Sequence, residues 1–246
     1  QFGLVGSEMC IRDSSSTITG RIKQYLLSAR GMNSSVTTIL YAVSAMGSDA
    51  IEIYSALTEH SSSKMRSVAW QRYLNLVKGW DNSEIWLPAL KDRDKGVREK
   101  ILLSLRGRVS ELDVGEVGAL VESKYSDVRI FAGQSLLSAE KEALDEYGFD
   151  LLIDENSIVR ATTIRAIGAR RFPGWVTIMS RSLLDDDYVI QRAAMDSLLG
   201  DRQEGLEVLK KYIAKNPQSR ISSLARVELT KTVSYTHLRA HETELH

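Results

Sequence analysis

The chain has 246 residues, with 32 basic and 32 acidic side chains, four histidines and one cysteine. Zero net charge removes any global attraction to nucleic acid or to a membrane surface, and no apolar run is long enough to cross a bilayer. A single cysteine forms no internal disulfide, and once the terminal segments described below are set aside one histidine and no cysteine remain, too few for a Cys/His zinc site.

The first ten-residue element, LVGSEMCIRD (Leu4 to Asp13), has a partner near the other end, VSYTHLRAHE (Val233 to Glu242). With CTC GTG GGC TCG GAG ATG TGT ATA AGA GAC as codons for the first, the reverse complement translates into all ten residues of the second. Protein chemistry gives no reason for this, whereas one DNA tag joined in inverted orientation at both ends does. The word resembles a transposon-end adapter used in shotgun sequencing. Residues 1–14 and 233–246 are therefore set aside as translated adapter. Residues 15–232 are taken as the native segment, a fragment of a longer chain whose N-terminus, compartment and flanking domains are unknown. Cys10, His237, His241 and His246 go with the tags, leaving His60 as the one native histidine. No cofactor is expected.

The native segment is periodic. VREKILLSL from Val97, VRIFAGQSL from Val128 and VRATTIRAI from Val159 start 31 residues apart, and the same step reaches Ile190 and Ile221. Backward, Met65 and Val36 fit with small slips. Four residues after the later anchors stand Ile101, Ala132, Thr163, Ala194 and Ala225, and eight after stand Leu105, Leu136, Ile167, Leu198 and Leu229. This spacing forms one buried helix stripe. Asn33, Ser62, Asp94, Asn156 and Asp187 precede anchors by three and suit helix caps. A first helix fits the other half of each unit, carried by TGRIKQYLLSARG, SEIWLPAL, VGEVGALVES, YGFDLLI, GWVTIMSRSLL and GLEVLKKYIA. Pro88 should bend its helix, and Pro173 suits a first helical turn. Two short helices cannot bury their faces alone, so stacking predicts an all-α solenoid of about seven two-helix units.

The D-x-x-V-R-x-x-A-x-x-x-L pattern, best seen in DKGVREKILLSL, YSDVRIFAGQSL and ENSIVRATTIRAIG, resembles HEAT repeats, particularly the short HEAT-like repeats of phycobilin lyase subunits. The resemblance spans residues 15–232 and is weaker in the first two units and the last. It implies a non-catalytic scaffold that binds another protein along its curved face, lined by second helices. Positions two and six after the anchors would supply Ser67, Gln71, Glu99, Ile130, Gln134, Arg165, Arg192 and Asp196. The alternatives are a HEAT module of a larger enzyme, a bilin-lyase-like subunit, or a HEAT-like DNA-binding protein.

The residue after the anchor is arginine four times, at Arg66, Arg98, Arg129 and Arg160. The resemblance implies that these pair with acids at neighbouring turns, and Asp94, Asp127, Asp154 and Glu155 are the expected partners. The competing reading is a ladder for a phosphate backbone. A second basic cluster, Arg160, Arg165, Arg170, Arg171 and Arg181 around Trp175, raises the same alternative, though Asp185, Asp186 and Asp187 lie next to it. His60 is expected in a polar turn, the tryptophans in packing, and the three aspartates in capping rather than metal binding. Ile22, Leu26 and Leu27 at one end, and Ile221, Leu224 and Leu229 at the other, are expected to form exposed apolar stripes.

Overall fold

The computed structural model describes residues 18–106, 112–201 and 203–243, with side chains described as far as residue 231. All regular structure among them is helical. Helix α1 covers residues 18–28, followed by α2 (Ser34–Val43), α3 (Ser48–Leu57), α4 (Ser63–Leu76), α5 (Ser83–Trp86) and α6 (Lys95–Arg106). Then come α7 (Val114–Val121), α8 (Ser126–Ser135), α9 (Lys141–Leu152), α10 (Ser157–Arg170), α11 (Trp175–Ser182), α12 (Tyr188–Leu199), α13 (Glu204–Lys215) and α14 (Arg220–Thr243). Taken in pairs these are the seven two-helix repeats of an all-α solenoid fold. The chain divides into two compact units, residues 1–109 with α1 to α6 and residues 110–246 with α7 to α14.

The seven anchors account for the burial. Val36, Met65, Val97, Val128, Val159, Ile190 and Ile221 are each at most 2% exposed. The positions four residues on are buried too, at most 5% exposed, and the one polar member, Thr163, satisfies its hydroxyl by donating to the Val159 carbonyl at 2.9 Å. In the first unit Leu26, Leu40, Ile53, Leu57 and Ala69 join Val36 and Met65 in one core. Tyr54 is fully buried there because its hydroxyl reaches the Leu40 carbonyl at 2.7 Å, so the ring adds apolar area without stranding a polar atom.

In the second unit α10 packs against both α8 and α12. Two glycines permit that approach: a Cβ at Gly133 would lie 2.5 Å from the Thr162 hydroxyl, and one at Gly168 would lie 2.6 Å from the Ser197 Cβ. Replacing either forces these second helices apart.

Helix starts follow the capping pattern with one exception. Asn33, Asp94, Asn156 and Asp187 accept amide hydrogens of the first turn, whereas Ser62 makes no such side-chain bond. There the His60 Nδ1 accepts the Ser62 amide instead, at 2.9 Å. Pro88 acts as its missing N–H requires: α5 stops at Trp86 and the chain continues as a 3-10 helix, Leu87–Lys91. Pro173 does not enter a first turn. It precedes Gly174, which caps α11 in the left-handed region at φ 78°, and the helix begins at Trp175.

The ends differ from expectation. Leu26 is buried, Ile22 is half-buried, and Leu27 is exposed, together with Ile18 and Tyr25. Ile221 is buried, and Leu224 and Leu229 are half-buried. No continuous exposed stripe of the expected residues therefore forms at either end; Leu26 of α1 packs into one core with Val36, Leu40 and Ile53 of the helices that follow. Residues 1–14 lie outside the described residues, and the backbone of α14 stays helical beyond Thr232 to Thr243.

The arginine ladder and the candidate binding face

Each second helix from α4 onward is tied to the turn in front of it by the residue after its anchor. Arg66 Nη1 donates to the His60 carbonyl at 2.8 Å, and Arg98 Nη1 to the Asp92 carbonyl at 2.8 Å. Arg129 Nη1 donates to the Ser123 carbonyl at 3.0 Å, and Arg160 Nη1 to the Asp154 carbonyl at 2.7 Å. Where arginine is replaced the bond persists: Gln191 Nε2 donates to Asp185 O at 2.6 Å, and Ser222 Oγ to Asn216 O at 2.6 Å. Every bond spans six residues. The acceptor belongs to the turn between the two helices, where a carbonyl past the first helix end has no helical partner. The rung therefore closes the hairpin.

The acceptor residue usually has a second task. The side chains of His60, Asp92, Ser123, Asp154 and Asp185 each accept the amide two residues ahead, which folds the turn tightly. This five-before-anchor position was missed in the sequence. Its signal was there, since Asp, Ser and Asn recur at it with the same 31-residue step.

At Arg66 and at Arg129 the rung also reaches onward to the next repeat. Arg66 grips Asp92 with two parallel bonds, Nε to Oδ2 at 2.7 Å and Nη2 to Oδ1 at 2.8 Å, and the two side chains are 7% and 4% exposed. Arg129 repeats this with Asp154 at 2.6 and 3.2 Å and adds Glu155 at 3.0 Å. Burial pushes the Asp92 carboxyl up, but the Arg66 hydrogen bonds, the Asp94 amide and the arginine charges outweigh it and hold it below the ordinary carboxylate range. Asp154 is lowered by the same balance, with Arg129 and the Asn156 amide opposing burial. Both guanidiniums are held above their ordinary value, first by the hydrogen bonds to these aspartates and against burial. Of the expected partners, Asp154 and Glu155 serve at Arg129, while Asp94 caps the Val97 amide at 3.2 Å and Asp92 takes the pairing role at Arg66.

The second basic cluster is largely consumed in structure. Arg160 is on its rung, Arg170 Nη1 donates to the Leu136 and Ala139 carbonyls at 3.0 and 2.5 Å, and Arg171 pairs with Asp201 at 2.8 Å. Trp175 is 7% exposed and offers no stacking face, and Trp70, Trp80 and Trp86 are buried too. Arg165 and Arg181 remain on the surface. His60 is 4% exposed, not in an open turn. Asp185 and Asp187 serve turn and cap, and among the described residues no group of three or more His, Cys, Asp or Glu is placed to hold a metal ion. No helix among them is long and apolar enough to cross a membrane.

The expected binding face divides unevenly. Glu99 and Arg165 are exposed, while Gln71, Ile130, Gln134, Arg192 and Asp196 are half-buried. Ser67 is 4% exposed and leaves the face, because α4 is closed in by α3, α6 and the 3-10 turn Gly79–Asp81. Glu99 pairs with Lys95 at 3.3 Å, and Arg192 with Asp196 at 2.8 Å. In the second unit an open cleft of about 330 Å³ is lined by Arg165, Gly168, Arg171, Asp196, Ser197 and Asp201. Its walls alternate in charge.

No protein-family profile matches the chain, and no curated protein matches it. The chain is similar in structure to the crystal structure of an archaeal HEAT-like repeats protein from Thermococcus onnurineus NA1, with a TM-score of 0.50 at 12% identity, covering 87% of this chain and 94% of that one. At that identity the likeness is one of fold, and the fold is that of HEAT-like repeats.

Proposed function

We propose that the chain is a non-catalytic HEAT-like scaffold that binds another protein along the face of its second helices. The observation that carries this reading lies in the second unit. There α8 and α12 both pack on α10, Arg165 is exposed, Ile130, Gln134, Arg192 and Asp196 are half-buried, and Arg165 and Asp196 line the open cleft. The face mixes both charges with amides and one aliphatic side chain. Such a surface binds by area and fit rather than by one deep anchor, as repeat proteins do.

Nucleic acid is the weaker reading, since three of the five clustered arginines are already committed to carbonyls or to Asp201. A phage-displayed peptide library selected on the chain tests the proposal. Enriched ligands should lose binding with the pair Gln134→Arg and Arg165→Glu, and keep it with Lys211→Glu on α13. Ligands indifferent to the first pair overturn the reading. Tight, strongly salt-dependent binding of duplex DNA by the parent chain would replace it.

A further inference from the structure

Helix α9 is a first helix, so its outer side lies outside the face proposed above. Its inner side is ordinary core: Ala143, Leu144, Gly148 and Leu151 are buried. Tyr147 fixes the helix against α7, where a Cβ at Gly118 would collide with the tyrosine hydroxyl. The outer side is unusual in two ways at once. Phe149 is 70% exposed and Ile153 is 75% exposed, one turn apart, so two large apolar groups stand side by side in water. Around them Glu142, Asp145, Glu146 and Asp150 are all exposed. At 100° per residue, Glu142, Phe149, Ile153 and Glu146 fall on one stripe, with Asp145 and Asp150 on its two flanks. Between residues 140 and 155 Lys141 is the only cation, in a chain whose net charge is zero. The local field is felt by Tyr147, whose hydroxyl is held above its ordinary value by its hydrogen bond with Glu146, by burial, and by the charges of Glu146, Glu122 and Asp150.

Scattered exposed apolar residues are normal on a surface, but a pair inside a ring of one charge sign is a match for a particular kind of partner. Nucleic acid and anionic lipid are repelled by this field. We infer that the outer face of α9 docks a basic amphipathic helix of a partner protein, whose apolar side covers Phe149 and Ile153 while its flanking lysines or arginines meet the carboxylates. Apolar contact supplies the central anchors and the charges set orientation and rate.

The probe is a labelled, short amphipathic leucine–lysine peptide titrated against the full chain by fluorescence anisotropy. Binding should weaken about tenfold or more in the double variant Phe149→Ser, Ile153→Ser, and by a similar factor in Glu142→Gln, Glu146→Gln. A peptide of the same composition, scrambled so that leucine is spread around the helix, should bind about tenfold more weakly than the amphipathic one. Arg165→Glu should bind like the parent, which keeps this result separate from the second-helix face. All these sites are exposed, so thermal midpoints should stay close to the parent and show that the variants fold. No binding by the parent, equal binding by the scrambled peptide, or unchanged affinity in the Phe149/Ile153 variant overturns the inference.

Discussion

Arg66 and Arg129 are held from two sides, by a carbonyl of their own turn and by an aspartate of the next turn, whereas Gln191 and Ser222 are held from their own turn, by residues of their own repeat. The carbonyl bond is common to all six positions, so it belongs to the making of a hairpin. The carboxylate clamp is added at particular places and belongs to the joining of one hairpin to the next. A single arginine column in the sequence therefore encodes two separable tasks, and only the shorter-range one survives replacement by glutamine or serine.

Removing the clamp where it is most enclosed should have the largest effect. Asp92→Ala leaves the Arg66 guanidinium, 7% exposed, without its counter-charge, and should cost about 3–5 kcal/mol in urea unfolding. A loss under about 1 kcal/mol would mean the pair behaves as a surface ion pair, and the distinction between clamp and hairpin bond would collapse. Arg129→Ala should cost less, about 1–3 kcal/mol, because Asp154 is somewhat more open and also keeps the bond from the Asn156 amide. A double-mutant cycle between Arg129 and Asp154 isolates the clamp from the carbonyl bond.

Acid offers the same comparison without altering Arg66. The folded Asp92 carboxyl lies below its ordinary value, so the unfolded chain binds the proton more readily. Its stabilisation is complete above the unfolded value, near pH 4, and is lost as pH falls through the folded one. Asp154 acts in the same direction. Asp92→Asn should therefore be less stable than the parent at neutral pH, and the gap should narrow steadily on the acid side. A gap that stays constant down to the acid transition would show that Asp92 matters by shape and not by charge.

What was legible in advance divides by range. The stripe of Val97, Ile101 and Leu105 and its copies could be read because helix period and repeat period are both written along the chain. Caps at Asn33, Asp94, Asn156 and Asp187 were legible for the same reason, since donor and acceptor lie within three residues. The partner of Arg66 was not, because Asp92 stands 26 residues away and the choice between Asp92 and Asp94 depends on inter-repeat register. Ser67 was misplaced for a related reason: counting two past an anchor gives an angle on α4, not the identity of what packs there. Phe149 and Ile153 went unremarked because exposed apolar residues on a first helix look, in sequence, like further core.

The smallest expected effect is the most direct test of the two-task reading. Arg160 donates to the Asp154 and Glu155 carbonyls at 2.7 and 3.3 Å, and its equivalent Gln191 makes the corresponding six-residue bond at 2.6 Å. A glutamine placed at 160 has the amide donor that this bond needs and a similar reach to the turn. What it gives up is the second carbonyl contact and a positive charge near Asp154 and Asp187. Arg160→Gln should therefore stay within about 0.5–1 kcal/mol of the parent, seen as a small shift of the urea midpoint at unchanged slope. Arg160→Ala, which has no donor for the turn carbonyl, should lose more than Arg160→Gln. If glutamine is as damaging as alanine, the guanidinium charge rather than the bond holds that hairpin, and Gln191 must be compensated by something peculiar to its own repeat.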